Sequence, residues 1–438
     1  MPEETGAYRT PGVYISEKNA FPISVVGVPT AVPVFIGYTQ FAGDASGRPL
    51  YLQPVSINSL AGFEETFGGA FSGHAAGHRF NLHLSMGLFF ANGGGACWVV
   101  SVGSYWDNRF PVRAEPDSHH WRPGKIIAGA PTDPAGTHSL LGGINAAGLE
   151  LSATMIVIPE ACTLTDDNNA GYNMVVQAML SQASALQDRV AILDLPGCLE
   201  AATLSGPSGL LACQSGLTAA LSEPGLNLSY GAAYAPAVET MIGGHRNVAP
   251  PSAIMAGLWA RNDARVGVWN APANMSSDGV SRGLCALSDE DQAGFNLPAN
   301  GQAINILRTF PGPGTLVWGA RTLDGNSQDF RYIPTRRTLI YVEQSIKIAA
   351  RTYVFEPNVA TTWSTVTAKI TDFLMGLWQS GGLQGAKPED AFSVQCGLGS
   401  TMTGNDVLEG VMRMTVLVAI MRPAEFMEVT FQQQMQQS

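Results

Sequence analysis

The chain has 438 residues, with 24 Lys and Arg against 35 Asp and Glu, giving a net charge of −11. That length exceeds one ordinary core and predicts two or three domains. Only 13% of the residues are charged, about half the usual share, and the absence of any basic run argues against a phosphate-tracking nucleic-acid surface. The longest apolar runs, such as Met414–Met421, fall well short of the roughly 18 residues of a membrane span. The acidic start Met1-Pro2-Glu3-Glu4 lacks the basic-then-apolar plan of a signal peptide. These features predict a soluble protein made in the cytosol. Interface cores are depleted in charge, so the bland surface favours burial in an assembly over a monomer.

In chain order, residues 1–20 read as an extended arm: Thr10-Pro11-Gly12 breaks the chain, and Val13 and Ile15 alternate around Tyr14. Residues 25–37 are β-branched and interrupted by Pro29 and Pro33, too broken for a helix. Residues 80–92 carry Leu82, Met86, Phe89 and Phe90 on a helical stripe that Gly93-Gly94-Gly95 ends, and a buried strand is expected over 97–102. The irregular stretch 103–148 reads as a loop or insertion. Strands at 155–159 and 190–196 flank a helix at 169–188, the spacing of a βαβ unit in a parallel sheet. The Gly-, Ala- and Ser-rich stretch 197–225 has no readable fold.

A helix is expected over 338–353, then a second one capped by Asn358, with Trp363, Val366, Ile370, Phe373, Leu374 and Leu377 on one face and Gly381-Gly382 as its stop. A strand follows at 411–420. The last segment alternates Met427, Val429 and Phe431 with Glu428, Thr430 and Gln432, a half-buried strand. Residues 301–438 carry equal numbers of acids and bases, so residues 1–300 hold the whole negative charge. This assigns the acidic part to an outer layer and the neutral part to packing against copies.

A search for chemistry finds no phosphate-binding loop, zinc-protease helix, nucleophile elbow or dinucleotide fingerprint. Cys97, Cys162, Cys198, Cys213, Cys285 and Cys396 are scattered without a C-x-x-C pair and read as free thiols, Cys97 and Cys396 within buried strands. His74 and His78 are four apart with His83 near, a spacing that suits a metal but suits a solvated helix start better; His119-His120 reads as a loop. Asp166-Asp167 and Asp289-Glu290-Asp291 lack the order of a calcium loop and read as helix N-terminal acids or solvated turns. No cofactor or metal is expected. A metal-dependent enzyme at His74/His78 and a monomeric binding module with an exposed sheet edge stand as alternatives.

Ten stretches together resemble the tail sheath proteins of contractile phage tails, R-type pyocins and extracellular contractile injection systems. They are Thr10–Ile15, Phe35–Thr39, Phe89–Gly94, Ile192–Pro196, Ala249–Ser252, Ala260–Asp263, Ala271–Asn274, Val317–Leu323, Val354–Asn358 and Arg422–Phe426. Residues 103–148 match nothing in that family, and the stretch near Tyr234-Ala235-Pro236 is poorer in aromatics than the family's. The resemblance implies a mixed α/β, multi-domain sheath fold: an N-terminal arm (1–20), an outer acidic domain (21–300), a C-terminal α/β assembly domain (301–424) and a C-terminal strand arm (425–438). It implies six-subunit rings stacked around an inner tube, with baseplate and terminator or cap proteins as further partners and no nucleic acid or membrane insertion. Strands donated by the two arms, through Val13, Tyr14 and Ile15 and through Met427, Val429 and Phe431, would link neighbours. Lys347 and Arg351, four apart on a helix of the neutral part, are the candidate contacts to the tube. A sheath paralogue forming a baseplate-proximal layer is the second reading. Assembly is expected in a bacterial cytoplasm, in a phage tail or a released particle.

Overall fold

The structure, a computed structural model, describes residues 25–71, 80–115, 120–134, 136–200, 206–242 and 245–426. The arm residues Val13, Tyr14, Ile15, Met427, Val429 and Phe431, together with His74 and His78, lie outside the described residues.

β1 (Pro33–Thr39) is buried along its whole length, with proline only at its first position. β2 (Val55–Ile57) and α1 (Leu60–Phe67) follow, and the Ser59 side chain caps α1 by accepting the Gly62 N–H. The expected helix over 80–92 is α2 (Leu82–Ala91); Gly93, at φ 99°, turns the chain towards β3 (Cys97–Ser104). The stretch 103–148 is not irregular throughout, because it closes with α3 (Leu140–Ala147), capped by Ser139. Gly142-Gly143 obscures that helix in the sequence. A Cβ on Gly143 would lie 2.4 Å from both Ile36 and Val102, so the glycine lets α3 sit against the sheet.

β4 (Met155–Val157), α4 (Asp166–Leu186) and β5 (Val190–Asp194) form the expected βαβ unit with parallel strands. The stretch with no readable fold contains α5 (Pro207–Ala220). Next come β6 (Gly231–Ala235), β7 (Val238–Ile242), β8 (His245–Ala249), α6 (Ser252–Val266), β9 (Val280–Gly283), α7 (Asp289–Asn296), β10 (Ile304–Phe310) and β11 (Gly314–Trp318). The remainder is α8 (Ile333–Ala350), α9 (Ala360–Gln379), α10 (Pro388–Ala391), β12 (Phe392–Gln395), α11 (Gly404–Leu408) and β13 (Thr415–Val418).

An eight-stranded sheet runs β11-β10-β6-β5-β4-β1-β3-β2. Its six inner strands are mutually parallel, and β11 and β2 close the edges antiparallel. Side-chain alternation sends Val34, Ile36, Ala191 and Leu193 to a core under α3, α4 and α5, and sends Phe35, Val190 and Ile192 to a core under α1, α2 and α6. Both faces are thus covered, as a parallel sheet requires. A small sheet, β8-β7-β9, lies beside it. A third core gathers Val342, Tyr353, Val366, Ile370, Leu374 and Leu377 with Phe392 of β12.

This places the division of the chain differently from the expected boundary between residues 300 and 301. β10 and β11 belong to the large sheet, with β10 paired parallel to β6. The change of core falls within α8: Ile333 and Ile340 pack with the large sheet, and Val342 packs in the third core. Asn358 does not cap α9 either. Val359 holds that position, while Asn358 accepts the Trp363 indole N–H at 2.6 Å and donates to the Val411 carbonyl at 3.2 Å. The α9 stop is as expected, with Gly381 at φ 81° and the Gly382 N–H donating to the Leu377 carbonyl. The expected strand over 411–420 is regular only over Thr415–Val418, with a single antiparallel bridge from Ile420 to Leu383 beyond it. Among the described residues no helix is long and apolar enough to cross a membrane.

Candidate assembly site

β12 and β13 pair antiparallel from Phe392–Val418 to Gln395–Thr415, and no third strand joins them among the described residues. Val394, Val416 and Val418 pack against the third core, while Leu417 is 62% exposed on the opposite face. A two-stranded ribbon is marginal alone, and its outer edges present backbone groups that template the addition of further strands. α10 supports the ribbon, the Ala391 carbonyl accepting the Ala419 N–H at 2.8 Å.

The two ends of the described chain are each tied down by a buried arginine. Near the N-terminal end, Arg337 on α8 donates to both carboxylate oxygens of Asp263, at 2.9 and 2.6 Å, and to the Thr30 carbonyl at 2.9 Å. The Thr30 hydroxyl donates to the same carboxylate at 2.6 Å, and the Val28 N–H donates to Ser345 Oγ at 3.1 Å. The guanidinium lies 4.6 Å from the Trp259 ring centroid. At the other end, Glu425 accepts from Arg321 Nε at 2.8 Å, Asn296 Nδ2 at 2.8 Å and the Tyr332 hydroxyl at 3.1 Å, and Arg321 Nη2 adds a further contact. Burial would push the Glu425 carboxyl up, but the bonds from Arg321, Asn296 and Tyr332 hold it below its ordinary value.

Lys347 and Arg351 stand exposed at the end of α8 and just beyond it, with no ion pair to any described residue. Beside them are exposed Ile348, Val354 and Phe355. Phe355 was not singled out from sequence. It is wholly exposed and sits at φ 75°, a conformation rare for a bulky residue. A large apolar residue two positions before Pro357 was the available signal.

Of the two acidic runs, one is a helix start and the other a turn, the two outcomes expected. Asp289, Glu290 and Asp291 lie in the first turn of α7, where Ser288 and Asp291 form a capping box, whereas Asp166 and Asp167 stand ahead of the regular part of α4, with Asp167, Asn168 and Asn169 at left-handed φ of 49°, 57° and 64°. His83 bonds Glu64 at 2.9 Å. Among the described residues no cluster of His, Cys, Asp or Glu is placed to hold a metal. None of the six cysteines is in a disulfide, and Cys396 is only half-buried and lies just past β12.

The sequence stretches that carried the resemblance meet in space. Asp194 accepts the Ser252 N–H at 2.8 Å; Asn92 accepts the Asp278 N–H at 2.8 Å, and Arg261 pairs with Asp278 at 2.9 Å. Arg321 and Glu425 come from two further stretches. Residues 326–434 match the family described as phage tail sheath C-terminal domain. The fold is similar over almost its whole length to the PVC sheath complex, an extracellular contractile injection system, in its contracted state. The identity is 30%, the TM-score 0.66, and the match covers 98% of this chain and 99% of that one. The chain belongs to the phage tail sheath family.

A chain of the anti-feeding prophage (AFP) baseplate in its contracted state matches the sheath chain at TM-score 0.73 and 26% identity, covering 97% of this chain and 99% of that one. A putative prophage major tail sheath protein of Pseudomonas aeruginosa (strain UCBPP-PA14) is 30% identical over 137 residues, 30% of this chain. That match spans 34% of the relative's length. The sheath family is structural and non-enzymatic, so a metal-dependent enzyme at His74/His78 is set aside.

Proposed function

We propose that the chain is the contractile sheath subunit of a phage tail or an extracellular injection particle. Assembled in a bacterial cytoplasm, it stacks as six-subunit rings around an inner tube, meets baseplate and terminator proteins at the ends, and contracts to drive the tube through a target envelope. The observation that carries this reading is the likeness, over 98% of the chain, to a sheath in its contracted state. The open β12–β13 ribbon supports the rest: residues 1–20 and 425–438 of neighbouring copies, through Val13, Tyr14, Ile15, Met427, Val429 and Phe431, add strands to its edges. Each main-chain bond so gained contributes roughly 0.5–1.5 kcal/mol net. Lys347 and Arg351 face the tube, with Phe355 between them and the next helix. The energy of contraction lies in new contacts between subunits, a bistable interface that needs no nucleotide.

The test is negative-stain electron microscopy of the chain expressed alone and with tube. Six-fold tubes or rings that disappear when residues 1–18 are deleted are the expected result; a chain that stays monomeric even with tube present overturns the reading. The TM-score of 0.73 to the AFP baseplate chain favours one second reading, a baseplate-proximal sheath layer. Immunogold label confined to one end of the particle, rather than along its length, would select it.

A further inference from the structure

Three of the six cysteines meet at the C-terminal edge of the large sheet. Cys162 lies in a short helical turn after β4 (Ala161–Thr163), Cys198 in the turn after β5, and Cys213 on α5, and all three are buried in one core. The Gly197 N–H donates to the Cys162 carbonyl at 2.8 Å, which sets the two turns side by side, and the thiols of Cys162 and Cys198 are in hydrogen-bond contact. The Cys162 Sγ also lies 3.3 Å from the Pro159 carbonyl oxygen. Tyr172 closes the cluster, its hydroxyl donating to the Asp194 carbonyl at 2.8 Å. The arrangement is not that of a metal site among the described residues.

We propose that Cys162 and Cys198 form a reversible disulfide within the subunit when the folded chain meets an oxidising thiol–disulfide environment, locking the turn after β4 to the turn after β5. With oxidised glutathione as oxidant, the thiolate of one cysteine attacks a glutathione sulfur and releases one glutathione. The second thiolate then attacks the mixed disulfide and releases the other. Two protein thiols become one disulfide, two glutathione thiols form, and the two protein protons pass to them. Reaction in the closed core is slow: the hydrogen bond with Cys162, and then burial, hold the Cys198 thiol well above its ordinary value. The thiolate therefore forms as the turn over 195–199 opens locally. The two positions are 36 apart in sequence, a loop whose closure raises Tm by roughly 3–6 °C. This inference does not depend on the assembly reading.

The test incubates the full-length chain in oxidised and reduced glutathione at graded ratios, below any denaturing condition, then traps thiols by alkylation and maps peptides by mass spectrometry. A Cys162–Cys198 link that predominates over every other pairing, persists in C213S, disappears in C198S and carries a Tm rise reversed by dithiothreitol is the expected result. Full alkylation of Cys162 and Cys198 after prolonged oxidation overturns the proposal, and so does a predominant link to Cys213. If C198S fails to fold, C213S and the wild-type chain still decide between these outcomes.

Discussion

Glu160 follows β4 at the edge where the strands of the large sheet end, directly against Gly37: a Cβ there would lie 2.3 Å from Glu160 Oε2. Oε1 accepts the Leu82 N–H at 2.9 Å, while Oε2 has no partner among the described residues. Burial pushes this carboxyl up to about 8, from an ordinary 4.5. A carboxyl raised in the folded state favours folding while protonated, so its contribution is complete below about pH 4.5 and is lost as pH climbs through about 8. Burial raises Asp194 to about 7, acting in the same direction despite its bonds from Ser252. E160Q is therefore expected to flatten the loss of stability between pH 5 and 9, recovering on the order of 3–5 kcal/mol at the alkaline end. Urea melts at several pH values measure this, and unchanged curves would refute it. Sequence alone did not mark Glu160, because a single acid after a short strand carries no pattern; only the parallel packing that brings Gly37 over it makes it unusual.

Among the elements, α8 is decisive. Its first turns belong to the core of the large sheet and its later turns to the third core. A helix shared by two cores couples them, so calorimetry is expected to show one cooperative unfolding transition, and two separated transitions would contradict the sharing. Arg337 and Asp263 are both almost fully buried. R337M leaves an uncompensated carboxylate there and is expected to cost about 3–5 kcal/mol, with R337M/D263L recovering a large part, as measured by chemical denaturation. The sequence made α8 and α9 legible because their apolar residues recur at helical spacing over many turns. It hid α3 behind two glycines and α5 among small residues, where periodicity has few large side chains to work on.

At the scale of the whole molecule, the residues beyond 300 carry no net charge, and two of their exposed cations, Lys347 and Arg351, stand beside an apolar tip. Reversing both charges (K347E/R351E) is expected to weaken co-sedimentation with tube and leave the fold unchanged by circular dichroism; undiminished tube binding would remove these residues from the contact. The class of fold and one βαβ unit were readable, since they rest on local spacing. Strand order was not, because β1 lies between β3 and β4 and β10 joins β6 across some 70 residues. That long-range pairing is also why a boundary drawn from charge at residue 300 cut through a sheet. The ribbon was legible only as a pair of short strands, since the residues of each do not say which strand lies beside it. Both ends of the described chain are fastened to α8 or to the residue before it: Val28 through Ser345, Thr30 through Arg337, and Glu425 through Tyr332. At 18 residues this helix is a strut about 27 Å long. Tension drawn through either end of the chain is therefore shared between this rod and the sheet, which Arg321 reaches through Asn305 and Thr30 through Thr154, so a pull on one end has a route along one helix to the fastening of the other.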